Sequence, residues 1–282
     1  TTGLAPSTGA GVSSPGQPFV PEYAVYQKAL VLFQVVPSLI AVSILTALFP
    51  QLARAWQANS LRGTRQIVRE GLVLPAVGII PASAVLVALA GPLVSTIYFT
   101  LSPEEARGTA LILAVMALST LFYGIAGWQQ QYCFASEQGR ANLGMQLLLT
   151  LIQVSFALAA LLVPAHLGVL TIAVGQVVGN LAVAMVFMAF AQHQLGDLRL
   201  GGVVWLYARL GLASLVPGGA AWGLARLITG WNSLWLGQFL ACLAWAGVFG
   251  VLFLPMARLL RISEFFDLLQ RLRPTRRPQP AH

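Results

Sequence analysis

The chain has very few charged residues. Only 9% of its 282 residues are Asp, Glu, Lys or Arg, and 57% are hydrophobic, whereas an average soluble domain has about 25% charged residues. A soluble surface needs charges to stay solvated, so the deficit excludes an ordinary water-soluble protein and indicates that lipid covers much of the outside. Lysine occurs once, at Lys28, and the other fifteen of the sixteen cations are arginine. Because these cations lie between apolar runs, we attribute the net charge of +8 to membrane topology and predict no nucleic-acid partner.

Groups that carry enzyme chemistry are also scarce. The two cysteines, Cys133 and Cys242, lie in apolar runs without CxxC spacing, which predicts buried packing residues and no metal or redox site. The three histidines and eight acidic residues fall in connectors, at run ends or in the tail. The sequence contains no phosphate-binding loop and no GxSxG nucleophile motif. It therefore predicts a protein that is not an enzyme and that has no cofactor.

Seven long apolar runs make up most of the chain. Each is long enough to cross a hydrocarbon core of about 30 Å, which takes about 20 helical residues. We therefore predict an all-α, polytopic membrane helix bundle with seven transmembrane helices. The second run is too long for a straight crossing, which predicts tilt or a kink at Pro75 or Pro81. The runs are 29–49, 71–99, 109–128, 143–163, 167–191, 203–228 and 234–257.

Basic residues are concentrated on one side of these runs. Thirteen of the sixteen cations fall in alternate connectors and the C-terminal tail, against three on the other side, namely Lys28, Arg107 and Arg226. The positive-inside rule then places the C-terminus in the cytoplasm. Residues 1–24 are predicted to be a flexible extracytoplasmic loop, because Gly, Ser, Thr and Pro dominate positions 1–18. A start at Thr1 leads us to expect a longer protein upstream.

Two cytoplasmic segments are predicted to be helical without crossing the membrane. Residues 51–69 combine apolar residues with arginines and predict an interfacial helix pair, with Arg54, Arg62 and Arg65 on anionic lipid headgroups. Residues 261–282 predict an amphipathic helix that begins near Ser263, followed by a disordered, Pro-rich tail.

Polar residues recur at helical spacing inside several runs. In the fourth and fifth runs we predict that they hydrogen-bond between helices, beside a GxxxG pair that allows close approach. In the first run, Gln27, Lys28 and Gln34 are predicted to line a cavity wall for an anionic substrate, the alternative being that Lys28 reaches the outer headgroups. The residues of the fourth and fifth runs are Asn142, Gln146, Thr150, Gln153, Gly175, Gln176, Gly179 and Asn180.

Residues 26–56, YQKALVLFQVVPSLIAVSILTALFPQLARAW, carry a resemblance to a known family. Phe33-Gln34 before Pro37, the stretch Ala47–Pro50, Gly71-Leu72 and Gly91-Pro92-Leu93 resemble the MurJ (MviN) lipid II flippases, which belong to the multidrug/oligosaccharidyl-lipid/polysaccharide exporter superfamily.

This resemblance implies helices eight to fourteen of a fourteen-helix, two-lobe protein. Residues 25–193 would be the five-helix C-lobe bundle, and 194–260 a terminal transmembrane pair that forms a lipid-tail groove. The N-terminal lobe and the first C-lobe helix would be missing partners. An arginine common in the family is Val73 here, so Arg69, one turn earlier, would contact the substrate pyrophosphate.

The predicted function is thus part of a lipid II flippase of the bacterial inner (plasma) membrane. It would move an undecaprenyl-pyrophosphate-linked peptidoglycan precursor by alternating access, without covalent chemistry. The alternatives are an exporter of another lipid-linked oligosaccharide or a drug, and a non-transporting membrane scaffold or regulatory subunit. Roughly seven further hydrophobic segments upstream, as two-lobe transporters have, would favour the flippase.

Overall fold

The computed structural model describes residues 23–228 and 235–259. Within these ranges the chain forms nine α-helices joined by short turns. Six of them have 21 to 35 residues, far more than the average helix of a soluble protein. The helices are α1 (Tyr23–Gln57), α2 (Leu61–Ala88), α3 (Ala90–Ile97), α4 (Pro103–Ala117), α5 (Thr120–Ala135), α6 (Gly139–Ala159), α7 (Ala165–Leu195), α8 (Leu200–Ile228) and α9 (Trp235–Leu259).

Six helices of the described chain are long and apolar enough to cross a membrane, and α4 with α5, which meet at a bend of 51°, make a seventh if the pair crosses as one span. The predicted all-α membrane bundle is confirmed, with six to seven candidate spans where the sequence predicted seven. Many large apolar side chains point outward, among them Leu143, Leu151 and Leu158 of α6. Such a surface requires lipid, or other protein, around it.

The segment 51–69 is not a separate interfacial helix pair, so that prediction is wrong. Its first part completes α1, and its second part begins α2 after a short turn. In that turn the Ser60 Oγ accepts a hydrogen bond from the Gly63 backbone N–H at 3.3 Å and caps α2. Leu52 and Val68 are buried in the same core as the spans, so this segment extends the buried stripes of α1 and α2.

The bounds of two predicted runs differ in the structure. The helix α2 continues through Pro75 and Pro81 and ends at Ala88, and a new helix, α3, begins at Ala90. A helix start at Ala90 accommodates Pro92, because the first-turn N–H groups have no intrahelical partner. The third run begins earlier than predicted, at a capping box formed by Ser102 and Glu105.

Close helix packing holds the bundle together. A Cβ on Gly175 would lie 2.5 Å from the Phe156 Cβ, and one on Gly179 would lie 2.8 Å from the Leu149 Cδ1. The close approach predicted for the GxxxG pair is therefore confirmed, with α6 packed on α7. Cys133 and Cys242 are buried free thiols, as predicted.

Three predicted boundaries stay predictions. The loop at 1–24 lies outside the described residues except for Tyr23 and Ala24, which begin α1. The amphipathic helix and tail at 261–282 lie wholly outside them. The predicted terminal pair at 194–260 includes α8 and α9, which pack on each other and on α2.

Candidate substrate cavities

A cavity of about 470 Å³, with polar side chains set among apolar ones in its wall, lies between α1, α5, α6 and α7. We call it the amide cavity, because five of its six polar wall residues are Gln or Asn. No charged side chain lines it in the described part of the chain. Its polar wall residues are Gln34, Ser38, Gln130, Gln153, Gln176 and Asn180.

One group of amides ties α6 to α5 beside this cavity. The fully buried Gln129 donates from Nε2 to the Asn142 Oδ1 at 2.9 Å and accepts at Oε1 from the Gln146 Nε2 at 3.4 Å. These contacts confirm that Asn142 and Gln146 bond between helices. Thr150, in contrast, is exposed and donates to the Gln146 carbonyl of its own helix at 2.9 Å.

A second group joins α6 to α7 in the cavity wall. The Gln153 Nε2 donates to the Gln176 Oε1 at 2.8 Å, again as predicted. One turn further along α7, Asn180 is only 1% exposed, and its Nδ2 has no hydrogen-bond partner among the described residues. A buried amide donor without a partner is uncommon in native structures and invites a ligand or water.

A larger, apolar groove of about 950 Å³ lies between α2, α4, α5 and α8, next to the α4–α5 bend. Small residues on α8, including Gly211, Gly218 and Gly219, leave room in it, while Leu118 and Phe122 supply apolar surface. The family resemblance predicted that the terminal transmembrane pair, residues 194–260, forms a lipid-tail groove. α8 supplies one wall of the apolar groove, and α2, α4, α5 and Met188 of α7 supply the rest.

The two cavities are neighbours on α5. Leu121 and Phe122 line the apolar groove, and the next two residues, Tyr123 and Gly124, line the amide cavity. Successive helix residues point about 100° apart, so a single turn of α5 lines both the apolar groove and the amide cavity.

The predicted site residues of α1 lie along one helix. Gln34 lines the amide cavity. Gln27 and Lys28 lie about two turns nearer the start of α1, and both are half-buried. The Lys28 carbonyl accepts a hydrogen bond from the Tyr98 hydroxyl at 3.2 Å, and its ammonium group interacts electrostatically with Glu105 of α4.

Arg69 lies at the opposite end of the bundle. Counting 1.5 Å per residue along α1 and back along α2 separates it from Lys28 by roughly 30 Å. Its guanidinium faces the start of α8, with one nitrogen 4.0 Å from where a Cβ on Gly202 would be. The structure therefore does not bring Lys28 and Arg69 together. Any substrate contacts that the two residues make would be at opposite ends of the helix bundle.

The other predicted arginines surround the α1–α2 turn. Arg65 donates from Nε to the Leu195 carbonyl at the C-terminal end of α7, where a cation complements the helix dipole. This contact gives Arg65 a structural role besides its predicted headgroup role. Arg54 is exposed and donates to the Pro50 carbonyl at 3.2 Å, and Arg62 is also exposed.

Sequence reasoning missed Gln129 and Gln130 of α5, which are central to the amide contacts. Three consecutive glutamines, Gln129 to Gln131, interrupt an otherwise apolar run and were the available signal. It also missed Gln138 and Gln194, whose amides bond reciprocally at 2.8 and 3.0 Å.

The six to seven candidate spans define a multi-pass membrane helix bundle with two internal cavities. The family profile described as "Lipid II flippase MurJ" matches residues 22–242, well over half of the chain. The chain therefore belongs to the MurJ lipid II flippase family, whose members are transporters and not enzymes.

A solved structure has the same fold. The structure described as lipid II flippase MurJ in an inward closed conformation aligns with a TM-score of 0.61 at 15% sequence identity. The alignment covers 87% of this chain and 48% of that one, so the chain spans about half its length. No curated protein matches the sequence.

Proposed function

We propose that the chain is the C-terminal lobe, helices eight to fourteen, of a lipid II flippase of the bacterial plasma membrane. The observation that carries this proposal is the pairing of an amide-lined cavity with an apolar groove on consecutive residues of α5. A lipid-linked sugar has a polar headgroup and a long apolar tail, and this pairing offers a surface to each. Family membership supports the same substrate.

In this proposal the groove holds part of the polyprenyl tail, and the headgroup lies between this lobe and a second one. The groove is lined mainly by Ala, Gly, Leu and Val, which bury a hydrocarbon chain without unsatisfied polar groups. Transport is alternating access, in which the lobes rock about the bound headgroup and no covalent bond forms. The orientation with a cytoplasmic C-terminus is supported by the thirteen-to-three distribution of cations.

The charge distribution supports a need for the second lobe. No charged side chain lines the amide cavity, and Lys28 and Arg69 lie at opposite ends of the described bundle. Taking a pyrophosphate out of water without compensating cations costs several kcal/mol per ion. The N-terminal lobe would supply the missing cations, so we expect no lipid II transport by the half-chain alone.

The test is rescue of a bacterial strain that has been depleted of its own flippase. Three proteins are compared: residues 1–282, the same residues joined to the N-terminal half of a family member, and that N-terminal half alone. We expect growth, and lipid II at the outer surface, only with the joined protein. Rescue by residues 1–282 alone would refute the two-lobe argument. Failure of a joined protein that is folded and inserted would favour the non-transporting scaffold.

A further inference from the structure

Two buried hydrophobic cores follow each other along α1. The first, which we call the α4 core, joins the start of α1, from Val25 to Phe33, to Ile112, Leu113 and Met116 of α4. The second, which we call the α5 core, joins a later part of α1, from Ala41 to Leu52, to α5 and to the second half of α7. The change from one core to the other therefore falls where α4 meets α5.

This junction is a bend of 51° at Leu118 and Ser119. The backbone N–H groups of these two residues each bond to a carbonyl three residues back, at 3.2 and 2.9 Å. The hydroxyls of Ser119 and Thr120 are fully buried and also donate three residues back, each at 2.8 Å. In the unbroken helices α2 and α8, by contrast, the Ser83 and Ser214 hydroxyls donate four residues back. A tight three-residue pattern inside a long helical unit often marks a hinge.

Neighbouring helices are also easier to bend at the level between the two cores. Pro37 lies between the α4-core and α5-core parts of α1, and Pro81 follows Ile79, an α5-core residue of α2. A proline inside a helix removes one backbone hydrogen bond, so less is lost when the helix bends there. The amide cavity lies at this level as well, since Pro37 is in its wall. A cavity in place of packed side chains leaves room for movement.

We propose that the α4–α5 junction is a hinge about which the α4 core tilts against the α5 core, and that its angle sets the width of the apolar groove. The groove wall includes Ala114 and Ala117 before the junction and Leu121 and Phe122 after it. Leu118, at the bend itself, is 62% exposed and also lines the groove. A change of angle therefore moves one part of the groove wall against the other. This bending within the lobe goes beyond the rocking between lobes proposed above, and it does not depend on which lipid is carried.

The experiment measures distances along α4 and α5 in the 282-residue chain in lipid nanodiscs, by double electron–electron resonance. Spin labels are attached to Arg107→Cys on α4 and Phe134→Cys on α5, both at exposed positions. The two buried native cysteines are replaced by alanine. At 1.5 Å per residue, the labelled positions are about 37 Å apart at the observed bend and about 40 Å apart in a straight helix.

A label pair on an unbroken helix is the matched control. Leu167→Cys and His193→Cys lie at exposed positions of α7, and about 39 Å of continuous helix separates them. We expect a broader distance distribution for the α4–α5 pair than for this α7 pair, because only the first pair spans the hinge.

Two changes should move the hinge in different ways. Ser119→Ala combined with Thr120→Val removes the hydroxyls that hold the bend, so the mean α4–α5 distance should lengthen by about 2–4 Å. Thr120→Ser keeps its hydroxyl and is the control. Gly211→Phe on α8 fills the groove, since Gly211 lines it and a Cβ there meets nothing within 4 Å. The filled groove should narrow the distribution to about the width of the α7 pair.

Gly144→Phe is the control for the filled groove. It adds the same ring at another glycine whose Cβ would meet nothing within 4 Å, on α6, which is not among the helices that form the described groove wall. Gly211→Phe changes a position with open space around it, so it tests the hinge even if the variant without hydroxyls does not fold.

Two results would overturn the proposal. An α4–α5 distribution that is as narrow as the α7 distribution, and unchanged by loss of the hydroxyls, would mean that the bend is rigid. Equal distributions for Gly211→Phe and Gly144→Phe would mean that the groove and the hinge are independent. Both measurements use the chain without a second lobe, so failure of the rescue assay would leave the hinge in place and remove only the transport function.

Discussion

Replacing Gly71 with alanine should destabilise the bundle strongly, because α2 and α5 touch at this position. A Cβ on Gly71 would lie 2.1, 2.4 and 2.6 Å from three atoms of the Trp128 indole. The indole is completely buried, and its Nε1 donates to the Val68 carbonyl at 3.2 Å. It cannot move away without losing that bond and disturbing its neighbours.

The expected cost has two parts. Overpacking a close-packed interior costs about 1–3 kcal/mol. Displacing the indole from Val68 leaves the buried indole N–H without its acceptor, which adds about 1–3 kcal/mol. We therefore expect Gly71→Ala to lower the free energy of unfolding by about 2–6 kcal/mol. Gly144 on α6 is the control, since a Cβ there meets nothing within 4 Å, and Gly144→Ala should stabilise by about 0.5–1 kcal/mol through helix propensity.

The assay is reversible unfolding in mixed micelles, followed by tryptophan fluorescence and circular dichroism. A double-mutant cycle with Trp128→Phe isolates the contact, because the smaller ring makes room for the new methyl group. The two changes should couple by about 1–3 kcal/mol. If their effects add, or if Gly71→Ala is as harmless as Gly144→Ala, then the close contact between Gly71 and Trp128 is not what makes this position sensitive.

Three further predictions concern other helix contacts and the topology. Gln129→Leu should lower the free energy of unfolding by about 1–2 kcal/mol, because it leaves two α6 amides without their partner; an unchanged unfolding midpoint would contradict this. Gly175→Ala should cost about 1–3 kcal/mol, because the new methyl group on α7 would push Phe156 and α6 away; stability equal to that of Gly144→Ala would contradict it. Reporter fusions at Gly139 and Pro103 should report cytoplasm and outside, respectively; a cytoplasmic signal at Pro103 would refute the topology.

The number of spans was predictable because it depends on composition along the chain. Twenty apolar residues without charge leave few alternatives to a membrane helix. The positions of the breaks were less predictable. Pro75 and Pro81 were the positions at which a kink was expected, and the helix end lies at Ala88, beyond both of them. The bend between α4 and α5 follows an apolar stretch, LAVMALST, that contains neither Gly nor Pro and so carries no breaking signal.

The candidate site was predictable only in part, for a related reason. Helical periodicity identified the polar face of α6, because residues four apart on one helix share a side. It could not identify Gln129 as the partner of Asn142 and Gln146, because pairing between helices depends on tertiary packing. The separation of Lys28 from Arg69 likewise follows from the lengths of α1 and α2, and α2 begins ten residues before its predicted run.

The position of Lys28 leads to the last prediction. Its carbonyl accepts a hydrogen bond from the Tyr98 hydroxyl, and its ammonium group interacts electrostatically with Glu105 at the start of α4. In the protein joined to an N-terminal lobe, Lys28→Ala should reduce lipid II transport about tenfold or more if Lys28 contacts the pyrophosphate, since a charged hydrogen bond contributes about 1.5–3 kcal/mol. Arg107→Ala removes an exposed cation from the same helix start and is the control. Equal transport by the two variants would mean that Lys28 interacts with lipid headgroups at the membrane surface. The substrate pyrophosphate would then be bound only by cations of the other lobe.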